Sequence, residues 1–415
     1  MNKRPIFLLL IAGFTFAFAG IFEHYGLGKV GLNYSVSASG RGKSSLAYSD
    51  SLSVNMQNPA SLAFIRNAGI EMSVQSNHNF LQGTGNTNNY TGFSYGTLKF
   101  PLTRKGAFIL GIVPLSSANA SYQILAEDYS EISHSLGNIY AATLGAGYAL
   151  FPKKQVAFGV SADYLIGGYT ITNDIEFESG SSLTPVRIER AEGFSGLQFS
   201  AGVNVTPFDF ISIGASYTLP GPAARREITR YMAISSSYYY SYIDTAEFSD
   251  INIFPEQLRL GLALKLAPRY ILTGDWVRYQ FSENDADFSI NRFYEGQTTG
   301  PFQHYGVGIE KQGILSEYVP FHRSLTYRFG AFYDEHYLID SEGTPIRTYG
   351  ISLGLGIPFN QYRNRIDAAF VGEYNSGTIF GDAEGPLLHA REFVYHFTVS
   401  ISIAETWFHT RGKFR

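Results

Sequence analysis

Hydrophobic and polar residues alternate one for one along most of the chain. In the stretch QLRLGLALKLA, leucine occupies every even position from 258 to 266, and the odd positions carry Arg259, Gly261, Ala263 and Lys265. Successive side chains of a β-strand point to opposite faces, so this spacing predicts a strand with one apolar face. On a helix the same leucines would be spread around the whole circumference, which excludes a helical interpretation.

Fourteen segments alternate in this way, and most are long enough to cross a bilayer, which takes about 9–11 tilted residues. They are residues 68–78, 89–101, 105–116, 138–151, 155–170, 193–206, 209–219, 256–267, 269–281, 302–312, 322–335, 347–358, 364–375 and 390–404.

The connections between these segments alternate in length. Those after even-numbered segments are mostly short and several contain proline, which marks a turn. Those after odd-numbered segments are long: residues 117–137, 171–192, 220–255, 282–301, 336–346 and 376–389. Short periplasmic turns and long extracellular loops over an even strand count are typical of outer-membrane barrels. The chain is therefore predicted to be all-β, a 14-stranded antiparallel transmembrane β-barrel of the bacterial outer membrane.

Composition agrees with this class. Aromatic residues make up 15% and charged residues only 16%, against about 25% in ordinary soluble domains. A net charge of −4 argues against a nucleic-acid partner. The chain has no cysteine, so disulfide bonds cannot stabilise it.

The N-terminal region precedes the strands and divides in two. Residues 1–19 combine Lys3 and Arg4 with an apolar run and an Ala17-Phe18-Ala19 cleavage pattern, which predicts a signal peptide. An uncleaved membrane anchor is the alternative. Residues 20–67 are predicted to form a hatch or plug, residues 68–408 the barrel and residues 409–415 a periplasmic tail, with both termini in the periplasm.

A plug is expected because fourteen strands enclose a lumen that strand side chains alone cannot fill. The region before the first strand is rich in serine and ends in the stretch NMQNPASLAFI. Pro59 disfavours helix at Asn58 and can begin a helical turn itself, so a rigid turn is expected there. The alternative is a disordered periplasmic tail.

The run SASGRGKSSLAYSDSLSVNMQNPASLA, placed between a signal peptide and fourteen strands, resembles the FadL/TodX-type outer-membrane transporters of long-chain fatty acids and hydrocarbons. The resemblance rests on Asn58-Pro59-Ala60 and Leu62, preceded by Gly40, Arg41 and Asp50. It implies a hatch that plugs the barrel and moves when a ligand passes. A related branch of that family serves as a shuttle in type IX secretion. The ending HTRGKFR departs from the usual terminal aromatic residue.

A carboxylate ligand would need a cation inside the lumen, and arginine is favoured because it binds carboxylates with two parallel hydrogen bonds. The candidates are Arg259, Lys265, Arg328 and, near the end of its strand, Arg278. The alternative is that these cations pair with inward-facing carboxylates such as Asp275, Glu310, Asp367 and Glu373.

An apolar capture site is predicted in the long connection 220–255, which contains the stretch YMAISSSYYYSYI. Tyrosine clusters offer amphipathic contact area at low entropic cost. The candidate residues are Tyr231, Met232, Tyr238, Tyr239, Tyr240 and Tyr242. The alternative is a surface loop that rests on lipopolysaccharide or on a neighbouring protein.

These features favour a passive transporter for hydrophobic small molecules such as fatty acids or hydrocarbons, in contact with outer-membrane lipids and lipopolysaccharide. No catalytic motif stands out, and no enzyme activity, metal or cofactor is expected. The alternatives are a secretion shuttle that binds secretion-system components or exported proteins, and a general porin.

Overall fold

The protein, described here from a computed structural model, contains a closed barrel with an N-terminal segment inside it. The structure describes residues 21–23, 26–31, 34–81, 87–125, 129–151, 155–177, 183–234, 239–249, 253–281, 298–316, 318–339, 343–379 and 388–405. The predicted signal peptide and the predicted tail lie outside these residues. No helix in this part of the chain is long and apolar enough to span a membrane.

Within the described residues, eighteen strands lie in one antiparallel sheet, and fourteen of them form the barrel wall. The wall strands are β2 (Ala68–Leu81), β3 (Thr87–Thr103), β4 (Gly106–Ser117), β6 (Tyr129–Ala149), β7 (Val156–Phe177), β8 (Val186–Phe208), β9 (Ile211–Ile234), β11 (Gln257–Ala267), β12 (Tyr270–Tyr279), β14 (Phe302–Lys311), β15 (Thr326–Ile339), β16 (Pro345–Phe359), β17 (Asn364–Ile379) and β18 (Leu388–Glu405). The other four are β1 (Lys29–Val30), β5 (Ala120–Leu125), β10 (Tyr239–Ser249) and β13 (Thr298–Thr299).

The barrel closes where the last strand meets the first. β18 pairs with β2 from Glu405–Ala68 to Glu392–Leu81 without a register shift. All fourteen predicted segments correspond to wall strands, so the 14-stranded antiparallel barrel is confirmed. One end of the barrel carries the short turns and the other the long connections, and we call them the short-turn end and the long-loop end.

The two faces of the wall have opposite character. Along β18, Phe393, Tyr395 and Phe397 are exposed on the outer face, whereas His396 and Thr398 are buried in the lumen. The leucines of β11 face outward and Arg259 faces inward in the same way. An apolar outer band around a polar interior is the arrangement that a bilayer requires of a barrel.

Several wall strands continue well beyond the others at the long-loop end and form an upright six-stranded sheet, which we call the crest. It consists of residues 120–125, 129–137, 169–177, 186–192, 224–234 and 239–249. Its strands are six to eleven residues long, so at about 3.3 Å per residue they extend by roughly 20–35 Å. The prediction that residues 117–137, 171–192 and 220–255 are loops was therefore largely wrong.

Residues 34–67, which we call the inner segment, lie within the barrel and are mostly buried. The segment contains a short helix, α1 (Val36–Ser39), and a 3-10 helix (Pro59–Phe64) that leads into β2 at the short-turn end. One further short helix, α2 (Phe321–Ser324), lies between β14 and β15.

The chain before the inner segment lies at the long-loop end of the lumen. β1 pairs with the last residues of β4, Ser116 and Ser117, and Tyr337 donates a hydrogen bond to Gly28 from the upper part of β15. Phe22, Leu27 and Val30 are buried in an apolar cluster at this end. The periplasmic position of both termini stays a prediction.

Candidate functional site in the barrel lumen

Glycines on the inner face of the wall let the inner segment approach the barrel backbone closely. A Cβ atom added at any of them would lie within 3.2 Å of an inner-segment atom. They line eight strands around the lumen: Gly145 and Gly147, Gly159, Gly202, Gly214, Gly261, Gly306 and Gly308, Gly330, and Gly354. We call them the glycine ring. Because packed interiors tolerate little extra volume, the ring fixes the position of the inner segment.

The Asn58-Pro59 turn is held by both its own backbone and the wall. The Asn58 side chain accepts a hydrogen bond from the Ala60 amide at 3.1 Å and caps the 3-10 helix. Its amide nitrogen donates to the carbonyl of Leu46 at 3.0 Å and to that of Val203 in β8 at 3.2 Å. Pro59 occupies the first helical position, where its missing N–H costs nothing. The predicted helical turn that begins at Pro59 is present in the structure.

We expect Asn58→Ala to loosen this turn. The substitution removes a helix cap, which contributes about 0.5–2 kcal/mol, and leaves two buried carbonyls without their donor. Limited proteolysis of the folded protein in detergent should cut the inner segment faster than in the wild type. Asn360→Ala, in the exposed turn between β16 and β17, is the matched control. Protease should cut the inner segment of that variant at the wild-type rate. Equal rates for both variants would mean that the Asn58 contacts do not hold the turn.

A chain of buried ion pairs links the inner segment to the opposite part of the wall. Its members alternate in sign: Arg41, Glu310, Arg328, Asp367, Arg365 and Asp50. The N–O distances of the successive pairs are 2.5, 2.7, 2.6, 2.6 and 2.6 Å. The first and last members belong to the inner segment and the others to β14, β15 and β17. We call this arrangement the ion chain.

The ion chain is balanced, because three arginines face three carboxylates. Tyr48 adds a hydrogen bond to Glu310 at 2.8 Å. Burial opposes ionisation of Asp50, but the charge of Arg365 and the amide of Leu52 outweigh it and lower the pKa of Asp50 below 3.8. A lowered carboxyl pKa stabilises the folded state above the unfolded pKa, and this contribution is lost only as the pH falls through the folded pKa.

Two further carboxylates of the wall accept backbone hydrogen bonds from the inner segment. Asp275 in β12 accepts from the amides of Ser45 at 2.5 Å and Leu46 at 2.9 Å. Glu71 in β2 accepts from the amide of Val54 at 3.0 Å. The inner segment is thus anchored on several sides of the lumen by charge-assisted hydrogen bonds.

A cavity of about 220 Å³ lies on the long-loop side of these anchors. It is bounded by the N-terminal region on one side and by strands β2–β4 and β14–β18 on the other. Its apolar lining includes Phe22, Val30, Val54, Met56, Val113 and Val371. Most of the accessible surface of the cavity is apolar, although polar and charged side chains also line it.

Several charges on the polar side of the cavity are already paired with one another. Lys29 Nζ lies 2.5 Å and Lys43 Nζ 2.8 Å from the carboxylate of Glu373, and His396 lies 3.1 Å from it. Lys43 also stacks on the ring of Phe332 at 3.8 Å. No group of His, Asp or Glu side chains among the described residues could hold a metal ion.

Arg259 faces the lumen, as its alternation predicted, and is buried. Its guanidinium donates to Thr218 at 2.8 Å and to Gln257, and it lies 5.6 Å from the ring centre of Tyr279. No carboxylate among the described residues forms an ion pair with it. Arg259 does not line the cavity.

The other predicted cations are placed differently. Arg328 faces the lumen, but both of its carboxylate contacts belong to the ion chain, as the alternative predicted. Lys265 is exposed near the short-turn end, where the β11–β12 register shifts. Arg278 lies on the outer face with Trp276, because the inward positions of β12 are the odd ones. Its proposed position in the lumen was wrong.

The predicted capture residues lie near the tip of the crest. Tyr231 and Met232 lie close to the end of β9, and Tyr240 and Tyr242 lie in β10. The rings of Tyr231 and Tyr242 are 6.1 Å apart. Tyr238 lies outside the described residues, as does the side chain of Tyr239. Tyr231, Tyr240 and Tyr242 do not line the cavity.

The sequence did not single out Lys29 and Lys43 as lumen cations. They precede the first wall strand, so alternation along strands could not assign them a face. Arg41 and Asp50 were noted only for their resemblance to a family motif, and nothing in the sequence indicated that they end a chain of ion pairs.

Comparison with solved structures identifies the type of barrel. A FadL homologue of Pseudomonas aeruginosa has a TM-score of 0.64 at 14% identity, over 91% of this chain and 99% of that one. The toluene transporter TodX of P. putida has a TM-score of 0.57 at 15% identity, over 93% of this chain and 100% of that one. A TodX mutant described as a monoaromatic hydrocarbon channel has a TM-score of 0.59 at 14% identity, over 90% and 99%.

At these identities the likeness establishes the fold, which is that of a FadL-type barrel. The family model of BamG matches residues 3–414, and the chain belongs to the BamG family. The resemblance noted in the sequence thus gave the right barrel type but a different family name. No curated protein matches the chain in sequence.

Proposed function

We propose that the protein is an outer-membrane channel for compact hydrophobic molecules and that the cavity is their binding site. The observation that carries this proposal is a cavity inside the polar lumen whose accessible surface is mainly apolar. Its volume of about 220 Å³ equals roughly seven waters at 30 Å³ each, below the 300–1,000 Å³ of most pockets for drug-sized ligands. A single-ring hydrocarbon fits this volume better than a long-chain fatty acid.

The charges around the cavity favour an uncharged ligand. Both lysines already contact Glu373 at hydrogen-bonding distance. A ligand carboxylate would have to displace that carboxylate from two cations. Arg259, the buried arginine without an ion-pair partner among the described residues, is too remote to line the cavity. The earlier hypothesis of a carboxylate site at Arg259 remains a separate proposal.

The outer apolar band supports a position in a bilayer, and the short turns would then face the periplasm, as in outer-membrane barrels generally. Passage from the cavity to that side is blocked by the inner segment. We therefore propose that the inner segment acts as a hatch. Asn58, Pro59, Ala60 and Leu62 would form the part that leaves the wall.

Binding of radiolabelled toluene to the purified protein tests this function. Met56→Trp places a larger side chain in the cavity, and we expect at least a tenfold weaker affinity, equivalent to about 1.4 kcal/mol. Met72→Trp is the matched control, because Met72 is half exposed on the outer face of β2. It should bind toluene as the wild type does.

Heat-modifiable migration on gels would show that both variants are folded barrels. Absence of saturable toluene binding by the wild type would contradict the proposed ligand class. If the folded Met56→Trp variant bound toluene with wild-type affinity, the binding site would lie outside the cavity.

A further inference from the structure

The crest ends in an unpaired strand edge. β10 pairs with β9 from Tyr239–Ile234 to Ser249–Ala224, over eleven residue pairs with no register shift. Within the part of the chain that the structure describes, its other edge has no strand partner. Alternate backbone N–H and C=O groups of β10 therefore point away from the sheet.

This edge lacks most of the features by which proteins protect an edge strand. β10 contains no proline, lysine or bulge and is eleven residues long, and its only charged residues are Asp244 and Glu247. It exposes Tyr240, Tyr242 and Ile243, each more than half accessible. A regular and long edge of this kind is a template for another strand, and its two acidic side chains restrict which strand can pair with it.

The crest stands in water and not in hydrocarbon. Its outer face carries ion pairs between neighbouring strands, whereas the wall below carries leucine and phenylalanine. Four of its strands contribute: Arg187 lies 2.5 Å from Asp174, Arg230 lies 3.1 Å from Glu189, and Arg226 lies 3.4 Å from Glu247. Such charges belong outside the membrane core, so the free edge is accessible to a water-borne polypeptide.

The charge of β10 disfavours a second copy of this chain as the partner. The strand contains Asp244 and Glu247 and no basic residue. Asp244 is its central residue, so two fully overlapping antiparallel β10 strands would place Asp244 opposite Asp244. Like charges directly opposite each other destabilise a strand pair, whereas opposite charges stabilise it.

We propose that β10 is the docking edge for an extended segment of another polypeptide, which joins the crest as a seventh strand. Backbone hydrogen bonds hold the added strand, and its side chains determine specificity. A basic residue faces Asp244, and apolar or aromatic residues pack on Tyr242 and Ile243. This interaction does not depend on the proposed transport of hydrophobic molecules.

Two synthetic peptides test the proposal on the full-length protein in lipid nanodiscs. One is an eleven-residue peptide of alternating valine and threonine with a central lysine, and the other has glutamate in place of that lysine. Fluorescence anisotropy should show saturable binding of the lysine peptide and at least fivefold weaker binding of the glutamate peptide. A lysine peptide N-methylated at alternate positions should lose the binding, because it keeps the side chains but cannot complete the ladder.

Asp244→Lys should reverse the preference between the two peptides. The matched control is Asp209→Lys, which makes the same charge change in the exposed turn at the short-turn end and should leave the preference unchanged. Equal binding of the N-methylated and unmodified peptides would overturn the proposal in favour of non-specific adhesion. Failure of the lysine peptide to bind, or formation of a stable dimer that Asp244→Lys does not affect, would also overturn it.

Discussion

Replacement of Gly159 by alanine is expected to push the Asn58-Pro59 turn off the barrel wall. A Cβ atom at residue 159 would lie 2.2 Å from the carbonyl carbon and oxygen of Pro59 and 2.4 Å from the Ala60 nitrogen. These are backbone atoms, which cannot rotate away as a flexible side chain can. We expect a loss of about 1–3 kcal/mol in the free energy of unfolding, measured by urea titration in lipid vesicles.

The same variant should also leak. Because the turn lies inside the lumen near the short-turn end, its displacement is expected to raise ion conductance in planar bilayers. Gly274→Ala is the matched control, since the nearest atom to its Cβ would be the Gly306 oxygen at 3.8 Å. That variant should keep wild-type conductance and at least wild-type stability. If the Gly159→Ala variant kept the wild-type free energy of unfolding and the wild-type conductance, the inner segment would not be held by close packing.

Replacement of Glu310 by glutamine is expected to break the ion chain at its most connected member. Glu310 contacts Arg41 at 2.5 Å and Arg328 at 2.7 Å. Removal of one partner leaves buried arginine charge uncompensated, which costs about 3–5 kcal/mol. The free energy of unfolding should fall by that amount, and the inner segment should become accessible to protease.

The control for this prediction is Glu247→Gln on the crest. Its partner Arg226 is at 3.4 Å, and both side chains are largely exposed. Exposed pairs contribute no more than about 1 kcal/mol, so the variant should unfold like the wild type. If the inner segment acts as a hatch, toluene should pass through the Glu310→Gln variant faster than through the wild type or the Glu247→Gln control. Greater protease access without faster passage would indicate a plug that is loosened but is not the gate.

The sequence predicted the barrel because the lipid imposes its pattern locally. Each wall strand must present an apolar outer face. The leucines at 258–266 therefore indicate that this segment is a strand, which of its residues face outward, and roughly how long it is. The same rule assigned Arg259 to the lumen. It gave the wrong expectation for Arg278 as a lumen cation, because the orientation of a single residue near a strand end depends on the register.

The crest could not be predicted by this rule. Above the membrane the outer face of β8 carries Arg187 and Glu189 in place of apolar residues, so the alternation that marks a strand disappears. Pro220 and Pro222 in β9 are typical of a turn. In the structure they coincide with a register shift between β8 and β9 at Gly196 and Gln198, and the strand continues beyond it.

The partners of the lumen charges depend on distances that only the closed fold creates. Arg41 and Glu310 are 269 positions apart in sequence and meet across the lumen. Charge complementarity alone allows any lumen arginine to pair with any carboxylate. The sequence could therefore show which charged residues face the lumen. Which of them pair in the ion chain, and where the cavity lies, could be seen only in the three-dimensional structure.

The inner segment has a consequence for the order in which the molecule assembles. Its Asn58-Pro59 turn rests on β6–β8, strands from the first half of the barrel, whereas Arg41 and Asp50 bind β14 and β17, strands from the last third. β2 and β18 must then meet although they are separated by most of the chain, a non-local pairing that folds slowly. The segment contacts both early and late strands, and so we expect it to hold them close to each other while the seam forms. Variants that weaken its contacts should therefore slow barrel closure as well as weaken the finished barrel.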